Sequence, residues 1–124
     1  MPAYNFQKQF SPMVLDGSKV HTIRRRRKNP TKVGDALMLY TGMRTKACEK
    51  LMDAVCTAVV PIIIFPRLPG VVINGEPLSY GDIERLAVRD GFADVSSFFS
   101  FFLRYPFDVL RNEMEIIYWR KNEA

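Results

Sequence analysis

The chain has 124 residues, of which 48% are hydrophobic and 25% charged, with a formal net charge of +5. That length fits one domain over 1–124 with a real core, and the composition excludes an intrinsically disordered chain. No stretch approaches the roughly 20 consecutive apolar residues of a membrane-spanning helix, so no membrane partner is expected, and no charged-then-apolar signal pattern opens the chain, which makes the cytoplasm the expected location.

Residues 4–10 read as a first short strand. Ser11-Pro12 then suits a helix start, with serine as N-cap and proline at the first helical position. The helix is short, Pro12 to Asp16, and offers Met13, Val14 and Leu15 to the core. Gly17 ends it, free to take the left-handed conformation. Residues 20–26 follow as a strand in which Val20, Thr22 and Arg24 alternate with His21, Ile23 and Arg25. Lys19 sits at the junction, where its long side chain can swing over the Thr22 face. One spot thereby gathers an ammonium, a hydroxyl and a guanidinium. His21 is expected on the opposite face, without a catalytic role.

The charge is unevenly placed. Residues 19–50 hold ten of the 18 Lys and Arg residues, against only Asp35 and Glu49. Solubility does not require such clustering, which points instead to a polyanion or a phosphate-bearing ligand. Asn29-Pro30 and Gly34-Asp35 mark a loop. Residues 36–41 form a buried strand, 43–47 a basic loop, and 51–64 a β-rich run interrupted by Pro61, which implies a bend or an edge. Residues 71–73 lead into a tight turn at Asn74-Gly75.

Two helices are predicted between 80 and 104. Ser79 caps the first, with Asp82 three residues on; Ile83, Leu86 and Ala87 form its apolar face, and Asp90-Gly91 ends it. Asp94 caps the second, whose Val95, Phe98, Phe99 and Phe102 recur at helical spacing. That spacing assigns the phenylalanines to core packing and not to base stacking. Pro106 is read as a stop, and 114–119 as the last strand. Cys48 and Cys56 lack partners at metal-ligand spacing and read as reduced thiols, so no metal or cofactor is expected. The fold class is α+β: a mixed, mostly antiparallel β-barrel with a short N-terminal helix and two helices before the last strand.

Gly17-x-Lys19-x-x-x-x-Arg24 resembles the signature of ASCH domains, the activating-signal-cointegrator homology group with a PUA-like β-barrel. The phenylalanine-containing first strand, the short helix, Gly34-Asp35 before the next strand and the late helix before a final strand follow the same order. The resemblance implies RNA binding or, in one branch of small members, hydrolysis of the acyl amide of N4-acetylcytidine and related N4-acylcytidines. That branch uses a lysine and a threonine in Gly-x-Lys-x-x-Thr-x-Arg, here Gly17, Lys19, Thr22 and Arg24, with a later glutamate. Asp90 occupies the position aligned with that glutamate, one methylene shorter, and Glu84 and Asp82 are the other carboxylates of the region. The resemblance thus implies Lys19, Thr22 and Asp90 as catalytic residues and Arg24, Phe6 and Gly17 as residues at a nucleoside substrate.

Amide hydrolysis needs a nucleophile, a base and an acid for the departing amine. Lysine serves as a base only when its pKa falls well below about 10.4, and burial and the nearby Arg24 cation both push it that way. Backbone N–H groups near Gly17 are the expected oxyanion donors. The alternative is an RNA-binding module, or a ribonuclease of the same fold, with Arg25, Arg26, Arg27, Lys28, Arg44 and Lys46 on phosphates.

Overall fold

A computed structural model describes residues 2–123. In chain order it comprises β1 (Ala3–Phe6), α1 (Ser11–Asp16), β2 (His21–Arg25), β3 (Ala36–Thr41), β4 (Glu49–Phe65), β5 (Gly70–Ile73), β6 (Glu76–Pro77), α2 (Tyr80–Arg89), α3 (Val95–Phe102), α4 (Phe107–Asn112) and β7 (Met114–Lys121). The architecture is α+β, with seven strands in one mixed, mostly antiparallel sheet.

The long strand β4 is its spine. Residues 49–55 pair with β3, 54–61 with β7 and 62–65 with β5, all antiparallel. Pro61 lies where β4 passes from β7 to β5, a place where a missing N–H disturbs the ladder least. Its carbonyl accepts from the Asn74 N–H at 3.0 Å. Antiparallel β2 continues the sheet beyond β7, while β1 adds to β3 in parallel.

Alternation along β7 divides the core in two. Ile116 packs with Ile62, Ile64, Val71 and the buried faces of α2, α3 and α4. Ile117 and Trp119 pack on the other side with Tyr4, Phe6, Val14, Leu37 and Leu39. Phe92, just after α2, touches both clusters and marks their seam.

Four sequence expectations change. The first strand ends at Phe6, not at residue 10, and a 3₁₀ turn at Lys8–Phe10 leads into α1. An unbroken strand would hold Lys8 and Phe10 on one face; the turn buries Phe10 and leaves Lys8 in solvent. Ser11 does not cap α1, because the turn carries the backbone in and the residue at the N-cap is Phe10. Pro106 does not end the helical region but starts α4, its fixed φ suiting a helix N-terminus. Three helices, α2 to α4, therefore stand between β6 and β7. The sheet also does not close into a barrel: among the described residues no ladder joins β1 to β2. Side chains bridge that gap instead, with Arg24 and Arg27 donating to the Asn5 and Ala3 carbonyls of β1 at 2.5 and 2.7 Å. No helix among the described residues is long and apolar enough to cross a membrane.

The α2 terminus depends on Gly91. Its φ is +103°, and a Cβ there would lie 2.5 Å from the Phe10 ring. Gly91→Ala combines backbone strain with overpacking and is expected to cost roughly 2–4 kcal/mol in urea-unfolding stability; an unchanged midpoint would contradict this packing.

Candidate active site

The site forms where the start of β2 meets the end of α2. Gly17, at φ +84°, ends α1 in the left-handed conformation, and the Lys19 N–H then bonds the Met13 carbonyl at 3.0 Å. This reversal drives the Lys19 side chain inward, leaving the residue only 3% exposed. Its Nζ donates to both the backbone carbonyl and the Oδ1 of Asp90, each at 2.7 Å. Asp90 is the C-cap of α2, so its carbonyl belongs to a helix end where acceptors lack intrahelical donors and a cation is favoured. The ammonium thus caps the helix and neutralises the buried carboxylate together. Phe6 and Phe10 flank it, with ring centroids 5.8 and 5.3 Å from Nζ.

These surroundings act on Lys19 in opposite directions. Burial, the largest influence, pushes its pKa below the ordinary lysine value; Asp90 pulls it back up, and Arg24 lowers it further.

Thr22 projects from the other face of β2 relative to His21 and Ile23, as the alternation predicted. Its Oγ1 accepts from Arg24 Nε at 2.8 Å. The hydroxyl therefore keeps its own proton to donate, and an oxyanion forming there would face a fixed guanidinium. Arg24 is itself held over Phe6 and Tyr4, its Cζ 5.0 and 5.5 Å from their centroids.

Lys19, Thr22, Arg24, Asp90 and Phe6 line one cleft of about 220 Å³, walled further by Asn5, Phe10, Phe92, Phe101, Phe102 and Tyr105. It is smaller than the roughly 300–1,000 Å³ of drug-sized sites. Comparison with family models, curated proteins and solved structures gives no match to this chain.

Gly17 does not line the cleft, and its neighbourhood offers no oxyanion donors. The N–H groups of Gly17, Ser18 and Lys19 are taken by Val14 O, Asp16 Oδ1 and Met13 O. Its contribution is the reversal that aims Lys19. Glu84 is exposed, and Asp82 pairs with Arg85 in solvent, so neither lines the cleft.

The basic run is more occupied than its composition suggested. Arg25 pairs with Glu113 at 3.1 Å, Arg27 holds Ala3, and Arg26 sits near enough to Glu115 to favour its ionised form against burial. Among the described residues Lys28, Arg44 and Lys46 make no side-chain hydrogen bond or ion pair. Nor do the described residues contain any group of three or more His, Cys, Asp and Glu placed to hold a metal ion. Cys48 is an exposed free thiol and Cys56 a buried one.

Sequence reasoning missed two features. Phe101 and Tyr105 are cleft walls; their signal was position, since Phe101 falls off the buried stripe of Phe98, Phe99 and Phe102. His21 does face away from Thr22, yet its buried Nε2 comes within 3.3 Å of Asp90 Oδ1 without forming a hydrogen bond. Asp90 lies at the seam between the two cores, where both faces of β2 can reach it.

The opposed influences on Lys19 make a testable pair. Removing Arg24 takes away a cation, so Arg24→Met should raise the Lys19 pKa; removing the Asp90 charge takes away its stabiliser, so Asp90→Asn should lower it. Competitive acetic anhydride labelling across pH, read by mass spectrometry, should place the wild-type midpoint below that of ordinary lysines and shift it oppositely in the two variants. Shifts of the same sign would refute this balance.

Proposed function

We propose that the cleft is the active site of an amidohydrolase that removes the acyl group from N4-acylcytidines such as N4-acetylcytidine, on a PUA-like fold of the ASCH kind whose sheet stays open between β1 and β2. The observation that carries this reading is the convergence of a buried lysine–aspartate pair and an arginine-held threonine hydroxyl on one aromatic-walled cleft. The Gly17-x-Lys19-x-x-Thr22-x-Arg24 resemblance supports the same choice of chemistry.

In this mechanism neutral Lys19 takes the Thr22 proton as Oγ1 attacks the acyl carbon. The depressed Lys19 pKa raises the fraction of neutral amine available for that step. The tetrahedral oxyanion needs donors other than the occupied N–H groups near Gly17. We assign this role to Asn5, a cleft-lining residue whose Oδ1 accepts from the Met43 N–H at 2.9 Å, which leaves its amide NH₂ to donate. Collapse breaks the N4–acyl bond, and the proton held by Lys19 and Asp90 passes to the departing amine of cytidine. Water then cleaves the acyl-threonine to release a carboxylic acid and restore the hydroxyl.

A second reading places an RNA strand along Lys28, Arg44 and Lys46, whose exposed cations favour it. Affinity from phosphate contacts falls steeply with salt, whereas hydrolysis of a neutral nucleoside does not.

Incubation with N4-acetylcytidine should release cytidine. Thr22→Ala and Lys19→Arg, the latter keeping a cation for Asp90 but no usable base, should each lower kcat/KM by about 100-fold or more. The double variant should be little worse than either single, as for residues acting as one unit. Full activity in either single variant would overturn the mechanism.

A further inference from the structure

His21 is the chain's one histidine. It is 3% exposed, and its Nε2 has no hydrogen-bond partner among the described residues. Buried polar atoms in native proteins are nearly always paired, so an unpaired one calls for a reason. Asp90 Oδ1 stands 3.3 Å from that nitrogen, close enough to bond but out of line. The same oxygen already accepts from the Lys19 ammonium at 2.7 Å.

A Lys19 that acts as a base must first be neutral, and a neutral amine withdraws the charge that offsets the Asp90 carboxylate. Asp90 is itself buried, so water cannot take over, and an unpaired charge there is strongly disfavoured. The groups around the imidazole narrow the choice of a second partner. On β7 its cross-strand neighbour is Tyr118, with ring centroids 5.4 Å apart. Burial raises Tyr118 above the ordinary tyrosine pKa, with Arg89 opposing and Asp90 adding to the rise, so it brings no anion to the ring. At the end of α2, Arg89 is exposed and Asp90 is the carboxylate that meets the imidazole. On the segment of His21 itself, Lys19 holds Asp90 and Arg24 lines the cleft. An imidazole with its proton on Nε2 supplies the missing donor by a small turn of the ring.

We propose that His21 is a positioning residue: its Nε2–H turns onto Asp90 Oδ1 when Lys19 is neutral, and turns away when the ammonium re-forms. The imidazole neither gains nor loses a proton. It keeps the carboxylate paired while the amine waits as a base; once Nζ has taken the Thr22 proton, the ammonium recovers Oδ1. His21 does not line the cleft, so its effect passes through Asp90 and Lys19. The proposal deepens the amidohydrolase reading and rests on it, but its decisive readout is the protonation of Lys19 and not turnover.

With a single histidine in the chain, isotopic labelling of histidine reports on His21 alone. Nitrogen NMR should place the proton on Nε2. The ring signals should change at the Lys19 midpoint found by acetic anhydride labelling, and should show no such step in Lys19→Arg, which stays charged. His21→Phe keeps a ring against Tyr118 and lacks the donor. It should raise the Lys19 midpoint by about one pH unit, in keeping with a hydrogen bond to a charged group. Below that midpoint kcat/KM on N4-acetylcytidine should fall about tenfold and recover as the pH rises. His21→Gln retains a donor and should restore the wild-type midpoint. An unmoved midpoint in His21→Phe, an equal rise in His21→Gln, or wild-type ring signals indifferent to Lys19 would overturn the proposal. If His21→Phe does not fold, the wild-type spectra decide. A midpoint that depends on His21 without cytidine release would uphold the contact and end the hydrolase reading; cytidine release with an unmoved midpoint would do the reverse.

Discussion

The contact on which the rest of this structure depends is the Lys19 ammonium held by Asp90. It joins the start of β2 to the end of α2, residues 71 positions apart in the chain, at the seam where the two cores meet. Two charges so deeply buried are tolerable only when each is paired and hydrogen-bonded. Here one ammonium satisfies a carboxylate oxygen and a helix-terminal carbonyl together. Removing either partner alone strands a charge, a loss of about 3–5 kcal/mol in comparable buried pairs, so the contact organises the fold as well as the chemistry.

That dual use explains the arrangement around it. A lysine needed only as a cap would suffice in a wetter position. Burial against Phe6 and Phe10, with Arg24 nearby, instead depresses its pKa while Asp90 keeps it from falling too far. Gly91 follows from the same demand: the chain must leave α2 at positive φ and pass against the Phe10 ring, which no side chain permits. The open edge of the sheet is solved with the same residues. Arg24 and Arg27 bridge β1 and β2 through carbonyls, so the guanidinium that orients Thr22 also closes the wall of the cleft.

Much of this was legible in the chain. The β2 alternation, the reversal at Gly17, the caps at Ser79 and Asp94 and the turn at Asn74-Gly75 are local events governed by side-chain periodicity and backbone freedom. Ser79 Oγ and Asp94 Oδ1 do accept from the N–H three residues on. The extension of the first strand to residue 10 and the barrel closure failed for one reason. Whether Lys8 and Phe10 continue a strand, and whether β1 meets β2, depends on what lies across from them, which no local pattern encodes.

The sequence by itself determined the residue types of the candidate site, because Gly17, Lys19, Thr22 and Arg24 lie within eight positions and strand geometry sets which of them share a face. Only the tertiary structure decided that Asp90, and not Glu84 or Asp82, meets Lys19, that His21 approaches the same carboxylate, and that Phe101 and Tyr105 wall the cleft. Those contacts join segments far apart in the chain, and their geometry comes from helix packing on the sheet, where burial and charge pairing act on all the elements at once.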